Sequence, residues 1–124
     1  MASVLIVEDG VVTRTSTRGI LQSSGFDVVG EAENGKIAIE KYKQLKPDVV
    51  VMDIMMPVMD GIQATKEIIK SDPDARIIIL TARDELDLVR QISAAGAKDF
   101  VVKPFHASRL IEGIYKVLNE KKSK

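Results

Sequence analysis

Val49-Val50-Val51-Met52 is an unbroken apolar run ended abruptly by Asp53, and runs of the same kind stand at Val4-Leu5-Ile6-Val7 and Ile77-Ile78-Ile79-Leu80. A strand apolar at every position is buried on both faces, which points to a parallel sheet covered on both sides. Such strands need crossover connections. Between the runs lie stretches whose apolar residues recur at helical spacing, and strict strand-helix alternation implies right-handed crossovers with helices on both faces.

Five strand-helix units are predicted. Val4–Val7 is the first strand, ended by Glu8-Asp9 and Gly10; a helix should follow from about Val12 to Ser24, stopped by Gly25. Thr13, Thr15, Ser16, Thr17 and Gly19 are weaker helix formers than Ala or Leu, so the sequence is poor for this helix. Val28–Ala32 is the second strand. Asn34-Gly35 then makes a turn and a cap for a helix over Lys36–Leu45, with Ala38, Tyr42 and Leu45 on one face, ended by Lys46-Pro47-Asp48. After the Asp53 strand, Pro57 and Asp60-Gly61 form a loop, and a helix over Gly61–Lys70 places Ile62, Thr65 and Ile69 on one side before Asp72-Pro73. Arg76–Thr81 is the fourth strand. Asp84–Ala95 is the fourth helix, with Leu88, Ile92 and Ala95 apolar and Gly96 as its stop. Phe100–Val102 is the fifth strand, with Lys103-Pro104-Phe105 at its tip, and Ser108–Asn119 is the last helix, with Leu110, Ile111, Ile114, Val117 and Leu118 in step. Lys121, Lys122 and Lys124 follow it.

Composition narrows the function classes. The 124 residues, 45% hydrophobic and 29% charged, suit one globular domain over 1–124, with no internal repeat or linker. Eighteen basic residues balance eighteen acidic ones, so no overall field favours nucleic acid or an anionic membrane. Cysteine is absent and His106 is the sole histidine, which removes disulfide and thiol chemistry and argues against zinc. No signal-peptide pattern opens the chain and no apolar run approaches a membrane span, making the cytoplasm the expected compartment. His106 reads as a first-turn helix residue and not as a phosphodonor.

The informative pattern lies at the strand tips. In a sheet of this kind ligands bind beyond the carboxyl ends of the strands, and there the chain puts Glu8 and Asp9, then Asp53, then Thr81, then Lys103. Each has an ordinary structural explanation alone, as a cap, a solvated acid or an ion-pair partner; nothing structural requires all of them together. Three carboxylates side by side repel one another unless a cation compensates, and a donor set of hard oxygens suits magnesium. With a metal bound, Asp53 would be a nucleophile toward a phosphoryl group, with Lys103 and the Thr81 hydroxyl stabilising its oxygens, and an aspartyl phosphate would result.

Five segments, in order and over nearly the whole chain, resemble the response-regulator receiver family, most nearly its stand-alone chemotaxis-type members. They are Val4-Leu5-Ile6-Val7-Glu8-Asp9 with Arg14, Met52-Asp53 to Met56-Pro57 with Met59-Asp60-Gly61, Ile79-Leu80-Thr81-Ala82, Gly96-Ala97-Lys98-Asp99-Phe100, and Lys103-Pro104-Phe105. The resemblance implies a flavodoxin-like (βα)5 three-layer sandwich with strand order 2-1-3-4-5. It further implies that Asp53 accepts phosphate from a histidine kinase, and that Glu8, Asp9 and Asp53, with the Met55 carbonyl, hold Mg2+. Thr81 and Lys103 would contact the phosphoryl group, and Phe100 would be the aromatic that turns inward behind Thr81; the alternative for Phe100 is plain core packing. The chain would then be a two-state switch, catalysing only its own phosphorylation and dephosphorylation. Its face built from the fourth helix, fifth strand and fifth helix would bind an output protein such as a flagellar motor switch. A monomer is expected, with dimerisation on phosphorylation left open and no direct nucleic-acid or membrane partner.

Two features depart from the family pattern: Glu8 stands where Asp is commoner, and the Thr13–Thr17 run is polar where relatives are more apolar, which implies a first helix that is loosely packed, altered, or a partner surface. Met55 and Arg83, each two residues beyond a site residue, are expected to slow water attack on the phosphoaspartate, Arg83 by reaching over the site. Rival classes fit less well. An aspartate-nucleophile phosphatase would carry a second Asp where Met55 stands, and a flavin-binding domain would need a neutral hydroxyl-rich loop in place of Glu8-Asp9. A receiver lobe of a longer regulator is the remaining alternative.

Overall fold

In the computed structural model, which describes residues 1–120, strands and helices alternate from end to end. The order is β1 (Ser3–Val7), α1 (Val11–Ser23), β2 (Asp27–Ala32), α2 (Gly35–Leu45), β3 (Val49–Asp53), α3 (Gly61–Ser71), β4 (Ile77–Thr81), α4 (Leu86–Ala95), β5 (Asp99–Val102) and α5 (Ala107–Leu118). The five strands pair in parallel in the order β2-β1-β3-β4-β5, as the resemblance implied. Lys121, Lys122 and Lys124 lie outside the described residues.

Alternate residues of each central strand feed two separate cores. Leu5, Val7, Val50, Met52, Ile77 and Ile79 pack with Ala38 and Tyr42 of α2, Ala64 and Ile68 of α3 and Ile92 of α4. Val4, Ile6, Val49, Val51, Ile78 and Leu80 pack with Leu21 of α1 and with Leu110, Ile114 and Val117 of α5. Three layers result. Full burial of a Val, Leu or Ile side chain favours folding by roughly 1.5–3 kcal/mol, so the doubly buried β1, β3 and β4 are the rigid centre. Their ends are level: Val7 lies opposite Met52, Asp53 opposite Leu80 and Thr81 opposite Val102. Whatever follows each strand therefore emerges at one edge.

Several helix faces differ from the periodicity reading. On α3 the stripe centres on Ala64, Thr65 and Ile68, with Ile62 and Ile69 only partly buried, because α3 packs between α2 and α4 and its buried face is turned accordingly. Leu45 is exposed; as the last residue of α2 it lies over Gly30 of the edge strand, where it has no second layer above it. Helix α1 does form, but buries only Thr17 and Leu21. Helix α4 starts at Leu86 instead of Asp84, since Thr81 holds the preceding loop in a turn, and Glu85 gives no side-chain cap. By contrast Asn34 caps α2 by accepting from the Ile37 N–H at 2.9 Å, and Gly96 ends α4 at φ 104°, as expected.

The β3–α3 loop is folded back tightly. A Cβ at Gly61 would lie 2.1 Å from the Asp53 carbonyl oxygen, so only glycine allows α3 to start so close to the strand tip. Asp60 caps α3, accepting from the Gln63 N–H at 2.8 Å. Between them Met59 N–H donates to the Pro57 carbonyl at 2.7 Å across Val58, which sits at φ 69°. A γ-turn with a left-handed centre is strained, and a β-branched residue there is more so. Val58 is also 78% exposed, so its side chain offers little packing in return. Val58→Asn should therefore raise the unfolding free energy by about 1 kcal/mol in urea titrations, since asparagine tolerates this region; an unchanged or lower value would show that Val58 is not strained.

Candidate functional site

The level strand ends bring together most of the residues singled out from the sequence. Lys103, directly after β5, donates from Nζ to Asp53 Oδ1 at 2.9 Å and lies 3.5 Å from Glu8 Oε1. Glu8, Asp53 and Thr81 are buried, whereas Asp9 is exposed at the mouth. Ligand oxygens from Glu8, Asp9 and Asp53 lie within 4.8 Å of one another. Local folding explains each position. Glu8 N–H continues the β1–β2 pairing to the Ala32 carbonyl at 2.9 Å, and Lys103 N–H continues β5–β4 to the Thr81 carbonyl at 2.7 Å. Asp53 Oδ1 also accepts from the Ile54 N–H at 3.0 Å. The Lys103–Pro104 peptide is cis.

Charge in the cluster is unbalanced. Burial pushes the Glu8 carboxyl above its ordinary value; the Gly10 N–H, donating to Oε2 at 2.8 Å, opposes this, and Asp9 and Asp53 add to it. One ammonium faces three carboxylates. A small divalent cation fits this set: the donors are all hard oxygens, close enough to share one ion, with exposed Asp9 leaving a side open to water.

The remaining residues stand as follows. Thr81 Oγ1 is not turned to the acids: it donates to the Arg83 carbonyl at 3.0 Å and accepts from the Arg83 N–H at 3.1 Å. Arg83 pairs through Nε with Glu85 at 3.0 Å, and not with a carboxylate of the cluster, so the expectation that it reaches over the site does not hold in this conformation. The Met55 side chain is 80% exposed beside the acids' loop. Phe100 is half-buried, packed against the core on the α2-α3-α4 side. His106 is the N-cap residue of α5, one position ahead of the first turn in which the sequence places it, and makes no side-chain cap bond.

Two contributors escaped the sequence reading. In the sequence Gly61 marks only a loop, although its contact with the Asp53 backbone makes it part of the site's frame. Arg14 was read only as part of a motif, yet its Nη1 donates to the Glu8 carbonyl at 2.8 Å. Its place in the second turn of α1, next to the acidic tip, was the available signal.

Comparison with known proteins agrees with this geometry. Residues 4–115 match the family model described as the response regulator receiver domain. The chain belongs to that family. It is 52% identical over 114 residues to the chemotaxis protein CheY of Thermotoga maritima, covering 92% of this chain and 95% of that one. To CheY of Bacillus subtilis it is 53% identical over 116 residues, covering 94% and 97%. The crystal structure of the CheX–CheY–BeF3–Mg complex from Borrelia burgdorferi superposes with a TM-score of 0.92 at 36% identity, covering 96% of this chain and 90% of that one. The receiver is thus a phosphorylation-dependent signalling switch of the two-component type, in the flavodoxin-like (βα)5 fold.

Lys103 holds two buried carboxylates of this receiver together, and its removal leaves them facing each other. Lys103→Ala should lower the metal-free unfolding free energy by about 2 kcal/mol, less than for a fully buried pair because Lys103 keeps partial solvent access. Adding Glu8→Gln should recover most of the loss. Urea titration of the single and double variants checks both; a neutral Lys103→Ala would show that solvent already screens the acids.

Proposed function

We propose that Asp53 is the phosphoacceptor, that Glu8, Asp9 and Asp53 with the Met55 carbonyl hold Mg2+, and that a histidine kinase is the donor. The single observation that carries this is the Lys103 ammonium on Asp53 Oδ1 at 2.9 Å, inside the acidic cluster. Lys103 and the Ile54 N–H both engage Oδ1, which leaves Oδ2 as the oxygen to attack phosphorus. The new P–O bond forms as the P–N bond to the donor imidazole breaks, and the electron pair departs on that nitrogen. Magnesium, when bound, supplies charge to the phosphoryl oxygens. Lys103 orients Asp53 through its bond to Oδ1, then follows the transferred charge. Thr81 leaves its turn with Arg83 to bond the phosphoryl group, and Phe100 turns inward as Thr81 vacates its place. The α4-β5-α5 face then presents a changed surface to an output protein, such as a flagellar motor switch.

The domain organisation proposed is a single receiver over residues 1–124, working in the cytoplasm as a monomer in the resting state. Its likeness over 95% and 97% of two chemotaxis proteins supports a chemotaxis-type receiver. Among the described residues no helix is long and apolar enough to cross a membrane.

Incubation with acetyl phosphate and Mg2+ should add one phosphoryl group by mass, and Asp53→Asn should abolish it; modification of the Asn variant at another residue would overturn the assignment. Mg2+ should also raise the unfolding midpoint of the wild type but not that of Asp53→Ala to the same degree, since it binds only the folded cluster. Met55→Asn should shorten the phosphoform's lifetime by opening the path for in-line water. Arg83→Ala should do so too, if Arg83 leaves Glu85 once a phosphoryl group is present. Unchanged or slower decay in both variants would remove these two residues from the tuning of the site.

A further inference from the structure

Glu8, the acid that departs from the family pattern, has its backbone held on both sides. Glu8 has one more rotatable bond than aspartate, so aiming its carboxylate demands a better-fixed peptide. The structure fixes it from both ends. The Glu8 N–H donates to the Ala32 carbonyl at 2.9 Å, and the Glu8 carbonyl accepts from Arg14 Nη1 at 2.8 Å. Arg14 is in turn anchored: its Nε donates to Glu31 Oε1 at 2.7 Å. Glu31 is the residue before Ala32 on β2, so both restraints on Glu8 lead back to the same two residues of one strand.

Glu31 is itself held firmly. Its second oxygen accepts from Arg18 Nε at 2.6 Å, and its carbonyl accepts from Lys41 Nζ at 2.5 Å. Burial alone would raise this carboxyl, but the bonds from Arg18 and Arg14 outweigh it and hold it below its ordinary value, so it stays ionised as an anchor. Arg14 is the more enclosed of the two arginines, 18% exposed against 35% for Arg18. Only Arg14 reaches the site. A guanidinium can bond a carboxylate through Nε while a terminal nitrogen bonds a carbonyl; a lysine ammonium, as a point charge, does not span both in that fork geometry.

We propose that Arg14, anchored by Glu31, is a positioning residue for the metal-binding acid Glu8, fixing its peptide so that the carboxylate faces the acidic cluster. This rests on the reading of that cluster as a Mg2+ site. The competing account, that Arg14 merely ties α1 to β2, predicts the same behaviour for Arg18, which shares the anchor without touching Glu8. Partners that orient metal ligands are typically worth about tenfold or more in affinity.

The test is Mg2+ titration of the full chain, followed by amide shifts, for the wild type and for Arg14→Lys, Glu31→Gln and Arg18→Lys. Arg14→Lys should weaken Mg2+ binding by about tenfold. Glu31→Gln should weaken it in the same direction, and Arg18→Lys should bind as the wild type does. Phosphorylation by acetyl phosphate should then need more Mg2+ in Arg14→Lys while reaching the wild-type plateau, a split that general destabilisation does not produce. Wild-type affinity in Arg14→Lys, or an equal loss in Arg18→Lys, would overturn the proposal. If Arg14→Lys fails to fold, wild-type affinity in Glu31→Gln would overturn it. A wild type that is phosphorylated on Asp53 but binds Mg2+ without shifting the Glu8 amide would remove Arg14's role while leaving the phosphoacceptor intact; no Mg2+ binding at all would remove both.

Discussion

One ammonium between buried carboxylates is the interaction on which the rest depends. Lys103 touches Asp53 and Glu8 together, from residues 50 and 95 positions away in sequence, because β5, β3 and β1 end level in one sheet. Without the sheet these charges would not meet. Without the charges the sheet would have no reason to end every central strand on a polar residue. The pairing does not neutralise the cluster, and that surplus negative charge is what a hard divalent cation answers.

The stiffness of the platform follows from its two cores. β1, β3 and β4 are apolar on both faces, so a shift of one strand by one residue would exchange its core sets and misplace its tip. Register and site geometry are thus fixed by the same packing. The loops beyond the tips are held by other means: Gly61 allows α3 to begin against the Asp53 backbone, and Val58 takes a left-handed conformation at the turn's apex. Strain in the loop beside Asp53 is tolerated because the flanking elements are over-determined.

Much of this was legible from single letters. Apolar runs mark β1, β3 and β4, and the polar residue after each run marks the edge where the candidate site lies, since burial must stop where an ionisable group stands. What was not legible depends on neighbours in space. The α3 stripe was misplaced because a helix packed between two others is not aligned by its own periodicity alone. Leu45 is exposed against expectation because nothing in the sequence says that β2, the strand beneath it, is an edge. Thr81 and Arg83 were assigned to the site by position, yet here both are engaged within the β4–α4 turn, which reflects a conformation and not a composition. Arg14 was seen without its role, because its two partners, at the β1 tip and on β2, are adjacent only after pairing.

That engagement of Thr81 bears on how such a switch is balanced. Its hydroxyl makes two local bonds to residue 83, each worth roughly 1 kcal/mol net, and would exchange them for a bond to a charged phosphoryl oxygen worth roughly 1.5–3 kcal/mol. The difference is small, about 1 kcal/mol either way, which shifts a two-state population only about fivefold. The side that must move is also lightly anchored: α4 starts without a side-chain cap, and Leu86 at its first position is exposed. Phosphorylation on the proposed site would therefore bias the α4-β5-α5 face and leave completion of the change to an output partner that prefers the shifted form. A switch poised this near balance responds to a single local charge, whereas one with a deep resting state would need more binding energy than one phosphoryl group supplies.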